Sequence, residues 1–509
     1  MSKSISGFLY TILLALTPPA QSETLRAATT GNLTALLNPF SALVQGVVNP
    51  HPQIHDALFF VSTDGTLEKG LALSAEAITD TTWRIHLRPN VQYSNGRPFT
   101  AAAVVKNIEY LKSDAAGRYV ISGETRKIKT IHAIDDLTLE VETAEPDVLL
   151  PRRFGTILMP EPWLYEELGP DEFSLAPVGT GSYVVEDWNL DAQRPLLRAN
   201  TTSWRPPADF DRVEFRIVKD AATQAQALLT GQVDIGYNFG VIELDLLRAN
   251  GFNISIHPGG QVTTIALSNM DSESPFADQR VRQAINYAVD KRAISDIILM
   301  GTTEAAGQPG VPGMMGFNPT VAPYPYEPET ARQLLTAAGY GDGFAFRADV
   351  LVAGGVIEAS TIYQKIAQDL ANVGIDFEAR PVQGAQWIGK YFSGDWGDAD
   401  AISATFNGAS YWDVIRAIEI FSCNKPTPFF CAPELMSRIN ATHAMFDPAE
   451  REAALQDLSR DMHDLAPALF LVRLVDVVAS SPRLGPLPFR HKQLAMEKMR
   501  LAENVKPED

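Results

Sequence analysis

The chain has 509 residues, 45% of them hydrophobic and 20% charged, with a formal net charge of -19. That length exceeds one compact core, so about two or three domains are expected. Scattered acids without a basic patch argue against nucleic acid or an anionic membrane surface as partner.

In chain order, Lys3 precedes an apolar run, Phe8 to Leu16, which Pro18 and Pro19 break. Ala20-Gln21-Ser22 then offers small residues for cleavage, the pattern of a signal peptide over residues 1–22. The run is too short to span a bilayer, and no cysteine stands near the cleavage point. The expectation is an exported, periplasmic protein without a lipid anchor. His51 and His55 have the spacing of a helical metal pair, but Pro50 and Pro52 argue against a helix there. No third ligand is in view, so no metal and no cofactor are expected.

Trp83, Ile85 and Leu87 alternate with polar residues as on a half-buried strand, Asn95-Gly96 marks a turn, and Thr100 can cap a helix through Leu111. Helical stripes follow at Ala221 to Leu229, around Val281 to Ala288, from Pro328 to Ala338, and from Ile362 to Val373. Strands such as Val233-Asp234-Ile235 and Ile375-Asp376-Phe377 come after two of them, which makes the class α/β. Gly179 and Gly181 sit in GTGSYV, which lacks the third glycine and following helix of a phosphate-binding loop. Cys423 and Cys431, the two cysteines of the chain, are eight apart and in an oxidising compartment are expected to pair. No G-x-S-x-G or H-E-x-x-H occurs, so no enzyme is expected.

The run TWRIHLRPNVQYSNGRPFTAAAVVKN (82–107) resembles the signature of the extracellular solute-binding protein family 5. Six further segments follow the family's order: DGTLEKGLALS, PVGTGSYVVEDW, ALLTGQVDIG, VRQAINYAVDKRAI, YEPETARQLLTAAGY and HDLAPALFLV. The resemblance implies a two-lobed periplasmic-binding-protein fold with an extra inserted domain. It implies lobe I over 23–55, 176–265 and 480–509, the insert over 56–175, and lobe II over 266–479. It further implies a monomer that binds di- or oligopeptides between its lobes and delivers them to an ABC transporter permease. Nickel-chelate, glutathione-like and opine-like ligands remain alternatives inside the family, and a secreted enzyme or a ligand-dependent sensor partner outside it.

FSGDWGDAD (392–400) fails the spacing of a calcium loop, because Phe406 or Ala409 occupies the twelfth position. The family register instead makes Asp395 an amine anchor, with Trp396 as an apolar wall and Asp398 as a further ligand candidate. Tyr411 and Trp412 are candidates for the pocket lining or the core. The arginine that dipeptide binders carry near residues 354–364 is missing, leaving Arg152, Arg153 or Arg347 to meet a ligand carboxylate.

Overall fold

A computed structural model describes residues 23–29, 37–41, 47–62, 64–189, 194–205, 209–351, 358–425, 427–490 and 493–504. The expected signal peptide lies outside these residues, as does part of the segment 354–364. Among the described residues no helix is long and apolar enough to cross a membrane.

Two α/β lobes share one ten-stranded mixed sheet. Its lobe II end runs Ile375–Val382, Phe344–Leu351 and Ala401–Asn407. Two long strands, Asn253–Leu267 and Ala468–Ser480, form the middle. Beyond them lie Ile235–Tyr237, Thr24–Thr29, Arg212–Ile217, Arg194–Ala199 and Tyr183–Asn189. The middle strands belong to both lobes. Residues 253–258 pair with 475–480, next to the lobe I strand Ile235–Tyr237, whereas residues 261–267 pair with the lobe II strand Ala401–Asn407. The register slips at this change of partner, where Pro258 faces Val475 and Gln261 faces Leu474. Gly259 and Gly260 are therefore the inserted residues of a bulge. Gly260 has φ +65°, and Pro258 has no N–H for the ladder.

The insert is a four-stranded antiparallel sheet, Ala72–Ala77, Thr82–Leu87, Thr138–Thr143 and Ile128–Asp135, covered by the helix Ala101–Lys112. Trp83, Ile85, Leu87 and Phe99 are buried in its core, as their alternation implies. Thr100 makes no side-chain cap; its carbonyl receives Ala103 N–H and Val104 N–H instead. Lobe II carries the expected stripes as Gln279–Ala288, Pro328–Ala337 and Ala359–Ala371, with Val281, Ala284, Ile285, Leu335, Ile362 and Ile366 in one core.

One local expectation is corrected. Residues His51–Ile54 form a helical turn despite two prolines. Pro50 stands at the cap and Pro52 in the first turn, where a missing N–H removes no hydrogen bond. His55 follows it fully buried, stacked on Phe173, and burial pushes its imidazole down to about 3. It is a neutral core group. Gly179 and Gly181 cross this turn so closely that a Cβ would fall 2.1 Å from Ile54 O and 2.4 Å from Gln53 O.

Candidate functional site

The strand Ala401–Asn407 delivers the loop Gly408–Asp413 to the seam between lobe II and the insert. Asp413 ends the loop by capping the helix Val414–Ile420, its Oδ1 accepting Ile415 N–H at 2.9 Å. Buried Arg451 donates to the other oxygen at 2.5 Å. Trp412 holds φ +53°, a left-handed conformation that costs on the order of 1–3 kcal/mol for a non-glycine residue. Its indole is buried and donates to Gly313 O at 2.9 Å. The ring fills a slot between two glycines. A Cβ on Gly65 of the insert would lie 2.4 Å from Trp412 Cδ1, and one on Gly260 of the bulge 2.7 Å from Cζ3.

On one side of this loop lies a cavity of about 60 Å³ where both lobes and the insert meet. Gln53, Arg490 and Leu494 line it from lobe I, Phe60 and Thr156 from the insert, and Ser410 from lobe II. Arg490 lies 4.3 Å over the Phe60 ring and donates from Nη2 to Glu497 at 2.5 Å. Its buried Nε has no hydrogen-bond partner among the described residues. Arg205 sits behind, 2.9 Å from Glu497 and 3.1 Å from buried Asp56. Arg88 stacks 4.1 Å over Trp204, whose Nε1 donates to Asp56 at 2.9 Å. Three guanidiniums thus face two carboxylates. Burial raises the Glu497 carboxyl, but Arg205 and Arg490 outweigh it and hold it low, so it stays ionised.

A second cavity, about 350 Å³, opens on the other side of the loop between the insert and lobe II, lined by Arg152, Met314, Phe317, Trp412 and Glu452. Arg152 donates to Tyr411 O at 2.6 Å and to Gly65 O at 2.9 Å, tying the two bodies together. Burial lowers its pKa.

The model of the bacterial extracellular solute-binding proteins, family 5, matches residues 66–427. The chain belongs to this family. It is 24% identical to the nickel-binding periplasmic protein of Escherichia coli over 482 residues, covering 87% of this chain and 90% of that one. It is 27% identical to the glutathione-binding protein of Escherichia coli over 451 residues, 83% of each. Its fold matches NikA of Brucella suis in complex with Fe(III)-EDTA at a TM-score of 0.81 and 21% identity, covering 94% of this chain and 99% of that one. Family 5 proteins are periplasmic binding proteins, not enzymes, and supply small molecules or peptides to ABC permeases.

Within this family 5 chain, the sequence candidates divide. Trp412 lines the second cavity, and Tyr411 is buried with its hydroxyl turned to the insert, accepting from Arg153 at 2.9 Å and donating to Glu124. Asp395, Trp396 and Asp398 lie in the loop before the strand Ala401–Asn407 and line neither of these two cavities. Asp395 is exposed and receives Gly397 N–H at 3.0 Å. Trp396 packs edge-on against Trp387 and Phe429. Asp398 pairs with Arg347 and Arg380 on the outer strands of lobe II. Cys423 and Cys431 are joined in a disulfide. Among the described residues no group of three or more His, Cys, Asp or Glu is placed to hold a metal. Arg490 and Ser410 carried no local sequence signal, because each acquires its neighbours only across lobe boundaries.

Proposed function

We propose that this protein carries a small carboxylate-bearing solute to an ABC permease, and that a peptide is its ligand. One observation carries this reading: Arg490 lines the cavity where three bodies meet, and its buried Nε–H has no partner among the described residues. A buried donor left unpaired costs about 1–3 kcal/mol, and a ligand carboxylate would satisfy it with a charge-assisted bond. The surplus guanidinium of the Arg88, Arg205 and Arg490 group favours an anion there. Gln53, Thr156 and Ser410 add neutral hydrogen-bonding groups suited to peptide units, and Phe60 and Leu494 add apolar walls. Glutathione is itself a peptide with free carboxylates, and EDTA is a polycarboxylate; this shared chemistry supports the class. The EDTA complex of the Brucella protein favours a carboxylate metal chelate as the second reading. At about 60 Å³ the cavity holds only a water or two, so ligand enters as the lobes part.

Native mass spectrometry of the protein purified from its own cells tests the class. Peptide adducts are expected; a neutral sugar would overturn the reading, and a metal chelate would select the second. Calorimetry with glutathione and with Leu-Leu tests the anchor. Arg490→Gln is expected to weaken whichever binds by about tenfold or more, since charged hydrogen bonds are worth about 1.5–3 kcal/mol. Glu497 keeps Arg205, so the fold is retained. Unchanged affinity would remove Arg490 from the site.

A further inference from the structure

Lobe II meets the insert through a buried ionic network. From the insert, Asp147 receives Arg153 Nε at 2.7 Å, and Glu124 lies 3.2 Å from Arg153 Nη1. From lobe II, Tyr411 joins both Arg153 and Glu124 through its hydroxyl. His443, 4% exposed, sits between the bodies. Its Nε2 is 2.8 Å from Glu419 of lobe II, its Nδ1 is 3.8 Å from Asp147, and its carbonyl receives Val148 N–H at 2.9 Å. Arg152 adds its two carbonyl bonds, and Trp412 its glycine slot.

The insert is sewn to lobe I by backbone bonds, Glu161 N–H to Val178 O at 3.0 Å and Ser94 N–H to Gly179 O at 2.9 Å. A hinge at Gly259–Gly260 therefore cannot open lobe II away from lobe I without also parting it from the insert.

We propose that this seam is a pH-gated latch: protonated His443 bridges Asp147 of the insert to Glu419 of lobe II and holds the ligand-free protein closed. The latch concerns closure alone and stands or falls independently of which solute is bound. Burial pushes His443 down, but Asp147 and Glu419 outweigh it and raise its pKa above 6.5. Burial likewise raises Asp147 and Glu419, yet His443 and Arg153 bring Asp147 to about 2 and Glu419 below its ordinary value. Lys127 opposes the charge on His443 from the insert. Arg451, packed beneath, donates from Nε to Thr442 O at 3.0 Å and is already paired with Asp413.

Because the folded pKa of His443 is raised, its contribution is complete below about pH 6.5 and is lost as pH rises through the raised value. Neutral His443 can still donate one hydrogen bond to Glu419, but it no longer balances both carboxylates.

Electron–electron spin resonance distances between labels at Ile134→Cys on the insert and Ile297→Cys on lobe II test this without ligand. Both sites are exposed, 50% and 73%, and the native cysteines are oxidised. The long-distance fraction of the otherwise wild-type protein is expected to rise about threefold or more between about pH 6 and about pH 8.5. His443→Gln, which keeps a donor but never a charge, is expected to show the high fraction at both pH values. An unchanged distribution in the wild-type background overturns the latch, as does a pH shift that persists in His443→Gln. An unchanged wild-type titration overturns the latch even if the variant does not fold.

Discussion

Two loops flank the strand Ala401–Asn407, and they behave in opposite ways. The loop before it, FSGDWGDAD, is rich in carboxylates and glycine and looks chemical. Its Asp395 is exposed, and Asp398 pairs with two arginines on the open edge of lobe II. The loop after it, NGASYWD, is plainer in composition, yet its Tyr411, Trp412 and Asp413 are buried against the insert and the hinge bulge. A strand of 7 residues, rising about 3.3 Å per residue, keeps the two loops roughly 20 Å apart. Which end of the strand a loop occupies decides whether it is buried at the seam, whatever functional groups it carries.

Substitutions can break or sharpen that contrast, and the largest effect belongs to the buried loop. Trp412→Ala is expected to cost about 3–5 kcal/mol in urea unfolding, because a filled slot becomes a cavity. A loss under about 1 kcal/mol would mean that the indole does not pack as described. Removing the disulfide as Cys423→Ser with Cys431→Ser should cost about 2–3 kcal/mol by the same measurement, as the short loop between them regains its freedom. Gly65→Ala acts on the slot from the insert side alone. With φ +85° and a Cβ 2.4 Å from Trp412 Cδ1, it should raise the open fraction read by the Ile134/Ile297 labels. Asp398→Ala should leave the urea midpoint nearly unaltered, since solvent screens exposed ion pairs. Asp395→Ala is expected to do least: stability within about 0.5 kcal/mol, with calorimetric affinity for glutathione or Leu-Leu unchanged. A large loss of affinity there would support the amine-anchor role and redraw the site.

Much of the fold was legible in the chain. The stripes at Val281 to Ala288 and Ile362 to Ile366 became buried helix faces, and Trp83, Ile85 and Leu87 became the inward side of a strand. These features are local: period and burial follow from residues a few positions apart. The site was legible only in part. Arg152 stood among the cations considered for a ligand carboxylate, but its partners Gly65 and Tyr411 lie far from it in sequence. His443 offered no motif, because Asp147 and Glu419 become its neighbours only when two bodies meet. The turn at His51–Ile54 was missed because prolines were weighed as breakers without regard to their position in the first turn.

The sequence by itself determined the α/β alternation, the family and the amphipathic faces, since each rests on short-range spacing or on order along the chain. The tertiary structure decided which loop faces the seam, that Arg490 lines the cavity with a buried Nε lacking a partner among the described residues, and that Trp412 locks between Gly65 and Gly260. Those facts depend on distances between segments hundreds of residues apart, and no local periodicity encodes them.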